Sequence, residues 1–405
     1  MAAEGPALDY LLFDGTVFDF PRPWLPILPP LRSGDVRWGA DASRPAPAWG
    51  DSGRFYGRAR YALRDAFRLS GVGPAGTLLA PAYHCRTMID PALALDAPVR
   101  FYAVDESLRP DLADVALQLT RTDSPVKAVV ASHFFGIAYD FRELAALCRS
   151  RGVQLVEDCA QSFPLTAPSN GMGATGDLCV ASPYKFLPCV EGGVLWSGDR
   201  RAHDLPPLRP PGLRAEASEL NRMWERSRVR LPRDRDLPAA AKRAPDPREE
   251  QAQAVARRLV GPSHEYRRDR EAIACSAVSR WIIAHADIAR VLERRRANYY
   301  RWSEAAKNLP NARALRPELG PNDTPYMFPL LLDRPERHFA QLRRAGLPIY
   351  RWDSLAVSSC ATAAKYRLRL LHMPCHQGLS DDELEWMFRS VRKVLSGDAA
   401  GGAPA

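Results

Sequence analysis

A chain of 405 residues, 46% hydrophobic and 25% charged, is long enough to bury one large core and a smaller one, as a two-lobed soluble enzyme does. It contains no apolar run of about eighteen residues or more, which excludes a membrane-spanning helix, and its N-terminus carries acid rather than a basic region before an apolar one, so a cytoplasmic location is expected. The net charge of +9 is dispersed: Arg222 to Arg235 and Arg294-Arg295-Arg296 lie among acids or helix-forming residues, without interleaved aromatics, which argues against nucleic-acid binding.

Residues 1–50 are rich in Pro, Trp and Gly, keep no helical period, and read as an arm packed across the body or a partner. From Arg58 to Leu69 apolar positions recur at helical spacing, and Gly71 and Gly73 close the helix. Strand-like runs follow at Thr77 to Ala80, Val99 to Val104, Ala128 to Ser132, Val153 to Glu157, Cys179 to Ser182 and Val194 to Ser197, with a helix from Phe141 to Arg151 among them. Such alternation predicts an α/β fold with a mainly parallel sheet sandwiched by helices, in a large domain over 51–275. Residues 199–262 break the pattern with Pro, Arg and Ala and read as a partly mobile insertion that covers the active site. A long helical stretch from Ser276 to Leu309 opens a smaller α+β C-terminal domain, 276–396, and 397–405 read as a disordered tail.

Only six of the 56 basic residues are lysines, and Lys185 ends the apolar run Leu178 to Tyr184, just before Glu191-Gly192-Gly193. Lysine can lose its proton and attack a carbonyl, whereas arginine cannot. Upstream, Val153-Gln154-Leu155-Val156 reads as a buried strand ending in Glu157-Asp158. Ligands of α/β sheets sit beyond the carboxyl ends of strands, so an acid and a lysine at two such ends face one crevice. Pyridoxal 5'-phosphate matches that pair, because its aldehyde forms a Schiff base with an amine and its ring nitrogen needs a carboxylate. The eight cysteines contain no Cys-x-x-Cys pair and read as reduced, buried small hydrophobes. His372 and His376 are four apart, but Pro374 between them argues for an extended segment, and no metal site is expected.

Val156 to Gln161, Gly176-Asp177, Ser182 to Lys185 and Glu191-Gly192-Gly193 together resemble the DegT/StrS-type aminotransferases, the sugar-aminotransferase branch of fold-type I pyridoxal phosphate enzymes. Leu79 to Cys85, Ser132 to Gly136 followed by Asp140, and Leu371 to Ser380 resemble further family segments in the family's order. The resemblance implies that Lys185 carries the cofactor as an internal aldimine, that Asp158 pairs with the ring nitrogen and that Gln161 bonds the phenolic oxygen. It also implies that Gly57-Arg58-Ala59 and Ser182 hold the phosphate, with Arg58 standing where a small hydroxyl residue is usual. Cys85 stands where the family has an aromatic residue stacked on the ring, a role that Tyr83 or His84 would have to assume. His133, Tyr184, Glu191 and His376 are the substrate-side candidates.

The expected function is transfer of an amino group from glutamate or glutamine to a keto or aldehyde group of a sugar nucleotide or other biosynthetic intermediate, by a homodimer with a shared active site. A non-transaminating enzyme such as a dehydratase, or a non-catalytic regulator, is the alternative. Lys185 argues against the dehydratase, since the resemblance implies that dehydrating relatives carry histidine there, and the retained Asp158, Gln161 and Lys185 argue against the regulator. Buried beside a cationic or apolar wall, Lys185 is expected to have a lowered pKa.

Overall fold

The computed structural model describes residues 6–13, 18, 20–37, 46–165, 171–199, 201–231 and 255–397. Strands β1 (Ala7–Leu12), β2 (Arg54–Tyr56), β3 (Thr77–Pro81), β4 (Val99–Tyr102), β5 (Val126–Ser132), β6 (Gln154–Cys159), β7 (Leu178–Ala181) and β8 (Gly193–Trp196) occupy the first half of the chain. Helices α1 (Ala59–Leu69), α2 (Arg86–Ala94), α3 (Leu112–Thr120) and α4 (Arg142–Ser150) alternate with them, so the predicted runs hold to within a few residues.

Seven strands form one sheet in the order β2-β8-β7-β6-β5-β3-β4. The pairs from β4 to β7 are parallel, while β7–β8 and β2–β8 are antiparallel. Both faces are covered, which is why the central strands read as unbroken apolar runs. Leu78, Ala80, Ala128, Val130 and Val156 face one core together with Ala62 and Phe67 of α1. Their neighbours Leu79, Val129, Ala131 and Leu155 face the other, with Leu144 and Cys148 of α4. The period of two along each strand thus divides the hydrophobic residues between two layers.

The segment 199–262, read as irregular, contains helix α5 (Leu213–Arg228) and strand β9 (Val255–Val260), so its irregular reading is corrected over these residues; 232–254 lie outside the described residues. Prolines cluster before α5 rather than within it, which masked the helix. Strand β9 pairs antiparallel with β1, and β1 pairs antiparallel with β12 (Leu355–Ala356). The N-terminal arm is therefore stitched between the insertion and the C-terminal part.

The helical stretch predicted after Ser276 divides into Ala277–His285 and Ile288–Ala306. Asp287 caps the second by accepting from the Arg290 amide. Beyond it, β10 (Ala312–Ala314), β11 (Met327–Leu332) and β13 (Leu370–Pro374) form an antiparallel sheet in that order. The final helix, Asp381–Ser396, begins with a capping box between Ser380 and Glu383. Among the described residues no helix is long and apolar enough to cross a membrane.

Three buried histidines give the fold a sign for its acid response. Burial, named first for each, pushes His84 down to about 4 and His372 and His376 down to about 3. Unfolded histidine titrates near 6.5, so below that pH the unfolded chain takes up protons the folded one refuses. Stability from this source is complete above about pH 6.5 and declines as pH falls toward about 4. The melting temperature should therefore drop between pH 7.5 and 5.5, where few carboxylates titrate; a flat profile would contradict it.

Candidate active site

Strand register brings the predicted residues together. Ser132 pairs with Asp158 across β5–β6, and Asp158 and Cys159 pair with Val180 and Ala181 across β6–β7. The three strands end side by side, and their next residues converge on one cavity. Asp158, Gln161, Ser182, Tyr184, Lys185 and Cys85 all line it.

Asp158 is 5% exposed. One carboxylate oxygen accepts from Ser132 Oγ at 3.0 Å, the other from the Ala160 amide at 2.8 Å. Burial raises its pKa, while the Ala160 amide, Lys185 and Ser132 act against that rise. A buried carboxylate in this state gains by meeting a cation in the cavity. Gln161 Oε1 accepts from the Phe135 amide at 2.8 Å, so its NH2 group is the end left for the cavity.

Lys185 closes the short 3-10 turn Pro183–Lys185 after β7. Here the expectation of a lowered amine pKa is corrected. Burial does lower it, but Tyr184, Tyr326, Cys85 and Asp158 outweigh burial and raise it above the ordinary value. The cavity wall is acidic rather than cationic on the side that Lys185 faces. Burial raises the Tyr184 phenol, but Arg58, Lys185 and Arg60 more than offset this and lower it. The Arg58 guanidinium stacks 4.6 Å from the Tyr184 ring centre. Tyr184→Phe removes the strongest group raising Lys185, so the pH midpoint for capture of an aldehyde by Lys185 should move downward. Stopped-flow absorbance against pH would read this, and an unmoved midpoint would rule out the coupling.

Arg58, Ala59 and Arg60, at the start of α1, line the same cavity. The N-cap has no side-chain hydrogen bond to this first turn, so amides at the helix start are free for an anion. Gly193 lets β8 press against this turn: a Cβ there would lie 2.3 Å from the Ala59 nitrogen. The buried Ser182 hydroxyl sits on the wall near the Tyr184 phenol, with no well-formed hydrogen bond. An acid, an amine, an amide donor and an open helix start thus surround one space, and these residues fit pyridoxal phosphate.

Other predicted residues lie elsewhere. His133 is fully buried beneath the site, with Nε2 2.9 Å from Glu157 Oε1 and Nδ1 accepting from the Tyr139 amide, so its substrate assignment is corrected to a structural one. Glu157 also accepts from the Gly173, Thr175 and Gly176 amides and so pins the turn before β7. His376 is corrected likewise: buried, with Nε2 3.0 Å from the Pro26 carbonyl, it ties down the N-terminal arm outside the cavity. Gly57 and Glu191 line a neighbouring, larger cavity instead. His84 stacks on Phe101 and bonds the Pro81 and Ala82 carbonyls, and neither it nor Tyr83 reaches the cavity wall. Trp352, backed by Tyr83 at 5.0 Å between ring centres, and Phe134 supply the aromatic surface there.

Sequence reading missed Trp352, Ser132 and, above all, Arg295. Arg295 is 0% exposed, with no carboxylate in ion-pair range among the described residues. Its donors go to the Lys185, Phe186, Pro325 and Tyr326 carbonyls and to Gln377 Oε1. Burial lowers it to about 10. A buried guanidinium is tolerated because its whole fork is hydrogen-bonded, and the fork fastens the backbone of Lys185 to the C-terminal part. The signal was present: Ile288, Val291, Arg295, Asn298, Tyr299 and Trp302 are buried at helical spacing.

Comparison with known proteins agrees with this geometry. The family model described as the DegT/DnrJ/EryC1/StrS aminotransferase family matches residues 59–226. GDP-perosamine synthase of Vibrio cholerae is 27% identical over 139 residues, 34% of this chain and 37% of that protein. The dTDP-4-dehydro-2,3,6-trideoxy-D-glucose 4-aminotransferase of Saccharopolyspora spinosa is 28% identical over 163 residues, 38% of this chain and 42% of that protein. These alignments thus span well under half of the curated relatives. Among solved structures, the aminotransferase TlmJ from Streptoalloteichus hindustanus superposes with a TM-score of 0.58 at 21% identity, covering 86% of this chain and 87% of its own. PseC of Helicobacter pylori, described as an aminotransferase involved in pseudoaminic acid biosynthesis, gives 0.56 at 13% identity, covering 85% and 86%. The fold is that of these solved aminotransferases.

Proposed function

We propose, from the match of residues 59–226 to the model of the DegT/DnrJ/EryC1/StrS aminotransferase family, that this chain is a pyridoxal phosphate-dependent aminotransferase. Its amino donor is glutamate or glutamine, and its acceptor is a keto or aldehyde group on a sugar nucleotide or a related biosynthetic intermediate. The observation that carries this reading is the convergence of Asp158 and Lys185 on one cavity with the uncapped start of α1.

When bound, pyridoxal phosphate supplies an electrophilic aldehyde and an electron-withdrawing ring. Asp158 would hold a proton on the ring nitrogen, Gln161 would donate to the phenolic oxygen, and Arg58, Ser182 and the Ala59 and Arg60 amides would hold the phosphate. Trp352 and Phe134 cover apolar surface and exclude water, and Cys85 faces the cavity with a thiol hydrogen-bonded to Thr87. Lys185 Nζ would be the nucleophile toward that aldehyde and, as a free amine, the base that holds and moves a proton in the cavity. Its raised pKa requires that a proton leave first, and Tyr184 is the adjacent group with increased acidity.

A homodimer that completes the site at its interface, in the cytoplasm, is part of this reading. The eight unpaired cysteines, seven of them buried, suit a reducing compartment. Purified protein with added cofactor should be yellow. Borohydride should fix a phosphopyridoxyl mass on Lys185, and L-glutamate should bleach the colour and release 2-oxoglutarate. A protein that takes up cofactor but keeps its colour with every amino donor is not a transaminase.

A further inference from the structure

Lys185 is placed by the large sheet, yet its amine lies against a residue of the C-terminal part. Nζ stands over the Tyr326 ring, 5.4 Å from the ring centre, and among the described residues it makes no hydrogen bond or ion pair. Tyr326 immediately precedes β11, is 4% exposed, and is not among the residues of the cavity wall. Its ring therefore backs the amine and leaves the cavity to the ligand.

Tyr326 is anchored through both its backbone and its ring. Its amide donates to the Phe135 carbonyl at 2.9 Å, its Oη accepts from Tyr350 Oη at 3.1 Å, and the Phe186 ring centre lies 5.9 Å from its own. The Arg295 guanidinium donates to the Tyr326 carbonyl at 3.1 Å and to the Lys185 carbonyl at 2.8 Å. One buried side chain thus fixes the backbones of both residues, so amine and ring keep their separation although they belong to different parts of the fold.

A ring face suits an amine that must hold charge and also release it. A buried carboxylate would bind the ammonium through a directed hydrogen bond and keep it protonated, whereas the face of an aromatic ring attracts the charge without accepting such a bond. Asp158, the carboxylate of the cavity, is already tied to Ser132 and to the Ala160 amide. The other titratable groups that face the amine are Tyr184 on its own turn, Cys85 at the start of α2 and His372 on β13.

We infer that Tyr326 is a positioning residue for the reaction, its ring face holding the free Lys185 amine at the place from which it attacks a carbonyl and takes up a proton. The inference rests on Lys185 being the reactive amine of the aminotransferase reading. It adds that the C-terminal part, through Tyr326 and Arg295, takes a share in setting the basicity of that amine.

Graded fluorination tests it, because each fluorine withdraws charge from the ring face while nearly preserving the ring's shape. Tyr326→Phe keeps the face and should leave the pH midpoint for capture of pyridoxal phosphate by Lys185 close to that of the unaltered protein. Mono-, di- and trifluorinated phenylalanine at position 326 should then lower the midpoint step by step, by about half a pH unit or more across the series. The shift is downward because a weakened face stabilises the ammonium less, so the amine is free at lower pH. Absorbance of cofactor-free protein mixed with pyridoxal phosphate across a pH series reads it, and equal melting temperatures would establish that the fluorinated proteins are folded alike. A midpoint that stays flat along the series overturns the inference. So does a Tyr326→Phe midpoint already as low as the trifluorinated one, since the phenol oxygen and not the face would then be responsible. If glutamate yields 2-oxoglutarate while the series is flat, the ring platform fails and the aminotransferase reading stands. If the midpoint falls along the series but no amino donor reacts, the platform stands and the reaction fails.

Discussion

Lys185→Ala is expected to reduce transamination by about four orders of magnitude or more, because one side chain supplies both the nucleophile and the proton carrier. The fold should survive. Among the described residues the Lys185 side chain makes no hydrogen bond or ion pair, and its amine lies 5.4 Å from the Tyr326 ring centre. Its backbone carbonyl, which Arg295 grips at 2.8 Å, is unchanged by the substitution. Removing a buried ammonium also relieves the desolvation that opposes its charge, although Tyr184, Tyr326 and Asp158 lose a favourable neighbour. The measurements are turnover with glutamate and the melting temperature, taken on the same preparation. Turnover within about tenfold of the unaltered protein would move the nucleophile elsewhere.

The parts legible in the sequence were those where one local pattern dictates one local structure. Apolar runs such as Ala128 to Ser132 had to become central strands, and the ends of those strands located Asp158 and Lys185. What escaped was set by distant segments. Trp352 reaches the cavity from the segment between the helix Pro335–Arg344 and β12, supported by Tyr83 almost 270 positions earlier, a pairing that no periodicity encodes. His133 and His376 have the chemistry of active-site residues, but Glu157 and the Pro26 carbonyl turn them toward structural work. Arg295 was hidden for the opposite reason: as the middle member of a charged triplet it looked solvated, and only the buried stripe of its helix reveals it. Helix α5 was obscured by the prolines ahead of it, although its arginines favour a helix.

The second large effect concerns Asp158. Asp158→Ala should weaken cofactor binding by a break on the order of 3–5 kcal/mol, the cost of leaving one member of a buried ion pair without its partner, which is roughly two to three decades or more in dissociation constant. The empty protein should respond differently. Burial raises the Asp158 pKa, so its charged form is held against a desolvation cost that Lys185 only partly offsets, and the substitution removes that cost along with the bonds to Ser132 and Ala160. A small change in melting temperature is therefore expected without cofactor, and a large one only with it, since ligand-linked stability scales with affinity. Asp158→Asn separates charge from shape. In the unaltered protein, cofactor affinity should fall as pH drops through the raised carboxyl pKa, because a protonated acid no longer balances the ring cation. In the asparagine variant that acid limb should vanish and the affinity should be low at every pH. Equilibrium dialysis of cofactor across a pH series reads both. An asparagine variant that keeps the acid limb would mean that the proton involved belongs to another group.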